Sequence, residues 1–465
     1  MTDFISVINP ATEQLIKEIP TDDGAVVSEK VARVRAAQPA WVAQPVETRI
    51  ELLARFKALL IERVDTLAEI LTAETGKPIT QARNEILATP ARIDFFTEQV
   101  ARCLTDESVY KESIDATPET AQLEEIITYD PLGVVANISA WNYPYFVGSN
   151  VFVPALLTGN TVLYKPSEIS TMTGLAIADL LHQAGIPQDV FIPVVGAAAT
   201  GAALLQENID GVFFTGSYRT GQKIAIAAAP KLIKVQLELG GKDPAYVCPD
   251  VDVAQTAAGL ADGAFYNNGQ SCCAVERIYV HTDVYEPFLE AFLQTVQGFT
   301  LGDPTDADTY LGPLSRRPQL AVLTQQIADA VSKGATVHGG TQQLGPTGFY
   351  FSPTVLTEVT HEMTVMREET FGPVIGIQRV RDDEEAIALM NDTDYGLTAA
   401  VYSKHRERAV QILEQVNSGS AYWNCCDRVS PRLPWTGRGA SGIGSTLSKI
   451  GIHAFLQPRG WHLRQ

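Results

Sequence analysis

Nothing in these 465 residues is arranged as a disulfide framework or a zinc site. The six cysteines are Cys103, Cys248, the neighbours Cys272 and Cys273, and the neighbours Cys425 and Cys426. No Cys-x-x-Cys occurs and no histidine stands at metal spacing, so no metal is expected and a reducing cytoplasm is the expected location. A basic face is also missing. Lys and Arg number 35 against 54 Asp and Glu, a formal charge of −19. That excludes binding along a nucleic-acid backbone and attraction to an anionic membrane surface. Solubility accounts for the acidity. Met1 to Pro10 has neither a basic region nor an apolar core, so no signal peptide is expected. One stretch without charge, Pro131 to Tyr164, is long enough to cross a bilayer. Pro144, Pro154, Asn137, Asn142, Asn150, Asn160 and three glycines break it in ways lipid would not satisfy. It reads as a buried strand, turn, helix and strand inside a soluble core.

What is present is material for a large core: 45% of residues are hydrophobic and 19% charged. The length favours two or three domains. Residues 26 to 104 carry apolar positions at helical spacing, with Gly76 and Pro78 closing one run. Glu124 to Tyr129 reads as a strand. From there the runs GVVANIS, NTVLYK, VFIPVVG, GVFFTGS and VQLELGG read as strands separated by helices. That alternation predicts a mostly parallel α/β sheet with helices on both faces. A second α/β pattern starts near Gly241, and HAFLQPRGWHLR ends the chain with a strand-like centre.

Four runs carry candidate chemistry. In FYNNGQSCCAVER, Cys272 follows Gly-Gln-Ser and is either a nucleophile or a small inert hydrophobe. In LELGGKDP, Glu238 lies between leucines at a strand end. Burial would raise its pKa and suit it to act as a base, whereas a solvated strand-end charge would do nothing. In SAWNYPY, Asn142 follows a strand and precedes Pro144. Its amide is either an oxyanion donor or a turn cap. FTGSYRTG has a G-x-x-x-x-G spacing between strand and helix, but Gln222-Lys223 follows Gly221 where a Walker loop has Lys-Ser/Thr. Phosphate binding at the helix N-terminus survives, and a P-loop NTPase does not. The dinucleotide fingerprint G-x-G-x-x-G is absent.

The ordered set AWNYP, YKPSE, FTGS, LELGGK, NNGQSCC, EETFGPV and PWTGRGASG closely resembles the aldehyde dehydrogenase superfamily, and the likeness covers nearly the whole chain. It implies oxidation of an aldehyde to the carboxylic acid with NAD(P)+. Cys272 would form a thiohemiacetal and then a thioester. Asn142 and the Cys272 backbone N–H would hold the oxyanion, and Glu238 would activate the hydrolytic water. The cofactor residues it implies are Ile138, Trp141, Lys165, Ser167, Glu168, Gly196, Gly216, Ser217, Leu239, Glu369 and Phe371. Lys165 and Glu168 would face the adenosine ribose. Glu168 suits ribose hydroxyls and repels a 2′-phosphate, favouring NAD while Lys165 leaves NADP possible.

The substrate pocket would be Tyr143, Val147, Asn150, Ser271, Cys273, Asp427, Val429 and Trp435. The implied fold is α/β with a Rossmann-type cofactor domain (1–112 and 132–239) and an α/β catalytic domain (240–444). A small oligomerisation unit (113–131 and 445–465) would build a homodimer or homotetramer.

This chain departs from the resemblance in places. Val151 and Thr446 stand where many members have a lysine and a glutamate that help the base lose its proton, so water would serve here. Asn150 and Cys426 stand where betaine-aldehyde enzymes have tryptophans, which weakens binding of a quaternary amine. Asn150 also stands where succinic-semialdehyde enzymes often have an arginine, which disfavours that substrate, though Arg428 could bind a carboxylate. Cys273 reads as a small pocket residue, since adjacent-residue disulfides are strained. Two alternatives within the fold are a CoA-acylating enzyme and a non-catalytic member. The first needs no water-activating base, and the second has no need of both Cys272 and Glu238.

Overall fold

The computed structural model describes residues 3–113, 122–340 and 347–464. The uncharged stretch forms the strand Val134–Ile138, the helix Pro144–Leu157 and the strand Thr161–Lys165. The helix is buried almost all round, which is why it carries no polar face. Among the described residues, no helix is long and apolar enough to cross a membrane.

Two mostly parallel sheets organise the chain. The first has six strands in the order Gly442–Ile443, Lys234–Glu238, Gly211–Thr215, Val134–Ile138, Thr161–Lys165, Phe191–Pro193. Its strands are parallel except for the antiparallel edge Gly442–Ile443. The chain starts this sheet at Val134–Ile138, runs outward to one side, then returns to build the other. The crevice between Val134–Ile138 and Gly211–Thr215 is thus a topological switch point, where α/β sheets bind ligands. The second sheet has seven strands, Thr336–Gly339, Thr354–Thr357, Val374–Val380, Arg277–His281, Pro244–Val247, Thr398–Tyr402 and Ser420–Trp423, in that order.

The run read as helical over 26–104 is five helices, and one break is at Arg63, whose backbone (φ −108°, ψ 19°) leaves the helical region. Gly76 closes the next helix in a left-handed conformation (φ 77°), as its sequence position predicts. The strand expected at Glu124–Tyr129 spans Gln122–Pro131 and pairs antiparallel with Leu456–Arg464. A third strand, Glu107–Ser113, joins on its other side. The expected 113–131 unit falls partly on residues 114–121, outside the described residues. An N-terminal hairpin, Phe4–Ile8 with Leu15–Pro20, was not anticipated. Its strands alternate over too few residues to stand out. The strand Gly442–Ile443, inside the 240–444 segment, completes the first sheet instead of the second.

Candidate active site

Cys272 sits on a turn that the sequence shapes by placing Asn-Asn-Gly before it. Asn267 (φ 53°), Asn268 (φ 56°) and Gly269 (φ 67°) all take left-handed backbone, which asparagine tolerates and glycine favours. Glycine is required at the third position, because a Cβ there would lie 2.6 Å from the Gly372 carbonyl oxygen. Long-range bonds hold the turn. Asn268 Nδ2 donates to the carbonyls of Gly312 and Pro313 (2.9 Å each), and Gln81 Oε1 accepts from the Asn267 N–H (3.0 Å). Cys272 is half-buried, and its backbone N–H has no hydrogen-bond partner among the described residues.

Asn142 lies across from this turn and is tied to it: its Nδ2 donates to the Gln270 carbonyl at 3.1 Å. Its own carbonyl accepts from Lys77 Nζ at 2.6 Å. Lys77 is paired with Glu85, both fully buried, and Glu85 Oε1 accepts the Tyr145 N–H at 2.9 Å. The ion pair thus grips the turn that carries Asn142 from both ends. Sequence reading missed Lys77 and Glu85, since an isolated Lys and Glu eight residues apart carry no local signal.

Glu238 ends the strand Lys234–Glu238 and is buried. Its Oε1 accepts from Gln236 Nε2 (2.9 Å) and Thr446 Oγ1 (3.3 Å), while its Oε2 is buried with no partner. Burial pushes its pKa well above the carboxylate range, and the bonds from Thr446 and Gln236 offset this only in part. Thr446, which replaces the family's glutamate, is therefore a direct partner of Glu238. Its backbone pairs with Trp435 (2.8 and 2.9 Å). Val151, at the other departure, is buried in its helix.

A cavity of about 860 Å³ opens beside Cys272. Its walls include Asn142, Cys272 and all eight residues assigned to a pocket: Tyr143, Val147, Asn150, Ser271, Cys273, Asp427, Val429 and Trp435. Glu238 is not on these walls and connects to them through Thr446 and Trp435. Cys273 is turned onto Asp427, its Sγ donating to Oδ1 at 2.9 Å, with Ser271 Oγ at 3.4 Å from both. Contact with the Cys272 sulfur and burial push the Cys273 thiol far up, and burial pushes Asp427 up to about 6. Arg92, which the sequence reading did not single out, also lines this cavity.

The residues assigned to a cofactor gather at the carboxyl ends of the first sheet. Ile138 and Lys165 end their strands, while Gly196, Gly216 and Leu239 follow theirs. Ser217 caps the helix Tyr218–Ala228, leaving an exposed helix N-terminus at the switch-point crevice. Lys165 is buried, its Nζ reaching only the Pro166 carbonyl (3.3 Å) among the described residues, and burial lowers its pKa. Glu168 is exposed beside it, accepting from Ser167 Oγ at 3.5 Å. Trp141 and Phe371 meet edge to face at 5.6 Å. Phe371 is left-handed (φ 47°) and Glu276 holds it there, accepting the N–H groups of Thr370 (2.8 Å) and Phe371 (3.0 Å). Glu369 Oε1 accepts the Gly241 N–H (3.3 Å), and burial raises its pKa to about 8. A helix N-terminus and a cation suit a dinucleotide's phosphates, and carboxylates suit the ribose hydroxyls as acceptors.

A family model described as the aldehyde dehydrogenase family matches residues 2–460. The succinate-semialdehyde dehydrogenase [NADP(+)] of Deinococcus radiodurans is 36% identical over 455 residues, covering 98% of this chain and 94% of that one. The lactaldehyde dehydrogenase of Escherichia coli is 34% identical over 465 residues, covering 99% and 95%. The crystal structure of an E. coli NADP-dependent enzyme superposes with a TM-score of 0.93 at 32% identity, covering 99% and 95%. The chain belongs to the aldehyde dehydrogenase family, oxidoreductases that convert an aldehyde to its acid with NAD(P)+ as cofactor.

Proposed function

We propose that this enzyme oxidises its aldehyde on Cys272. The observation that carries this reading is the free Cys272 N–H and the Asn142 amide facing one cavity around one sulfur. The Cys272 thiolate adds to the aldehyde carbon, and the oxygen becomes an oxyanion held by the Asn142 Nδ2 and the Cys272 N–H. Collapse of the oxyanion expels hydride from that carbon and leaves a thioester on Cys272. When bound, NAD(P)+ supplies the hydride acceptor. Glu238, kept basic by burial, takes a proton from water as the water attacks the thioester. The acid leaves, and the Cys272 sulfur is restored. With Thr446 in hydrogen-bond contact, Glu238 has a hydroxyl rather than a second carboxylate beside it, so its proton passes to water.

NAD(P)+ would be held at the carboxyl edge of the first sheet, its pyrophosphate by Gly216 and Ser217. Lys165, Ser167 and Glu168 would hold one ribose and Glu369 and Phe371 the other, with Ile138, Trp141, Gly196 and Leu239 completing the site. The Glu168 carboxylate favours NAD over NADP. The parts divide as a cofactor domain (1–112 and 132–239), a catalytic domain (240–444) and an oligomerisation unit (113–131 and 445–465). In that unit Leu456–Arg464 is an edge strand exposed along nearly its whole length, which favours a homodimer or homotetramer. Six free cysteines accord with a cytoplasmic setting.

Cys272→Ala should abolish NADH production while leaving NAD binding, measured by calorimetry, intact. Cys273→Ala should keep most activity, since its thiol is committed to Asp427. Comparable turnover in Cys272→Ala would assign the nucleophile to Cys273 and sink this reading.

A further inference from the structure

Arg92 is 5% exposed, yet it has no counter-ion among the described residues. It comes from the helix Pro90–Cys103 and lies flat over the Phe146 ring, 3.7 Å from its centroid. Its Nε donates to Asn150 Oδ1 at 3.1 Å. Among the described residues, its two terminal nitrogens make no hydrogen bond and no carboxylate forms an ion pair with it. The carboxylate that acts on it most, Glu85, is spent on Lys77 and the Tyr145 N–H. Asp427 is spent on Cys273 and Ser271. An unpaired buried cation is costly to a fold, and here it stands on the wall of the cavity that holds Cys272. Asn150 and Phe146 fix the plane of its fork, which is the arrangement that receives a carboxylate through two parallel bonds.

We infer that the cavity takes an aldehyde with a carboxylate at its far end, and that Arg92 binds that carboxylate. The inference rests on the reading that the aldehyde reacts at Cys272. Asn150 accepts the Arg92 Nε from the neighbouring helix, which sets the guanidinium on the cavity wall beside it. The span fits a short substrate. Phe146 and Asn150 stand one helical turn apart, a rise of about 6 Å, on the helix Pro144–Leu157 that follows the turn holding Asn142, which suits a short ω-oxo acid.

The test compares 5-oxopentanoate, pentanal and 5-aminopentanal as substrates of the native enzyme and of Arg92→Met. The native enzyme should prefer the oxo acid by kcat/KM. Arg92→Met should lose about a hundredfold on the oxo acid while pentanal changes by no more than about threefold. Arg92→Lys should keep part of the preference. Equal losses on both substrates, or a native preference for pentanal or the amino aldehyde, would overturn the inference. A second measurement needs no turnover. Glutarate, but not pentanoate, should raise the melting temperature of Cys272→Ala, and adding Arg92→Met should remove that rise. Absence of any glutarate effect overturns the carboxylate site. Failure of the native enzyme to oxidise any aldehyde, with the glutarate effect present, overturns only the reaction at Cys272. If Arg92→Met does not fold, Asn150→Ala, which removes the Nε anchor, should weaken the preference for the oxo acid. An unchanged preference there counts against Arg92.

Discussion

Glu238 and Glu276 are the same residue type, and each is 5% exposed. Their surroundings differ. Glu276 is filled with donors: Lys242 Nζ, the Thr370 N–H and the Phe371 N–H all point at it. Lys242 also donates to Thr370 Oγ1 at 2.8 Å. Glu238 has two weak neutral donors on one oxygen, none on the other, and no cation. A carboxylate saturated with donors is a clamp, and it holds Phe371 in its left-handed backbone. A carboxylate left short of donors in a buried place has a raised pKa and can take up a proton. Burial alone does not separate structure from chemistry; the supply of donors does.

The largest expected effect breaks the chemical half of this comparison. Glu238→Gln should lower steady-state turnover by about a hundred- to ten-thousandfold, the usual contribution of a base. It should still release one burst of NADH per active subunit, read by stopped-flow absorbance, because hydride expulsion needs no water. Absence of a burst at any pH, with NAD binding intact, would place Glu238 before hydride transfer. The same variant tests the raised pKa. The fold favours the protonated form of Glu238, so its contribution to stability is present at low pH and is lost as pH rises through the raised value. Glu238→Gln should therefore gain stability relative to the native protein on the alkaline side and match it at low pH, as urea titrations would show.

The structural half is tested by Lys242→Met. It strands the Glu276 charge in a buried site and should cost about 3–5 kcal/mol in a denaturant titration. Glu276→Gln combined with it should lose less than the sum of the two single variants. Strict additivity would mean that the two groups do not act as a unit. The smallest effect concerns Glu168, a carboxylate of the same crevice that is exposed. Glu168→Gln should narrow the preference for NAD over NADP in kcat/KM, by no more than about fivefold for a solvated charge. A native preference for NADP would contradict the role given to Glu168.

Local pattern made much of the protein legible. Strand and helix runs alternate along the chain, and their periods predict the parallel sheet that Val134–Ile138 and its neighbours form. The residues that line the cavity were legible for another reason: Asn142, Ser271, Cys272 and Trp435 belong to motifs whose order is informative. The N-terminal hairpin and the strand Glu107–Ser113 were not legible. Short edge strands owe their form to the partner beside them, and propensity over five to seven residues is too weak to show it.

The sequence by itself determined the alternation of elements and the candidate groups. Each depends on residues within a few positions of one another, where backbone preference acts. Only the tertiary structure decided which charges are paired. Lys77 reaches the Asn142 carbonyl across 65 residues, and Arg92 reaches Asn150 across 58. Glu238 meets Thr446 across 208. A charge's energy is set by what lies within a few ångströms of it in space, and no local pattern records neighbours that distant along the chain.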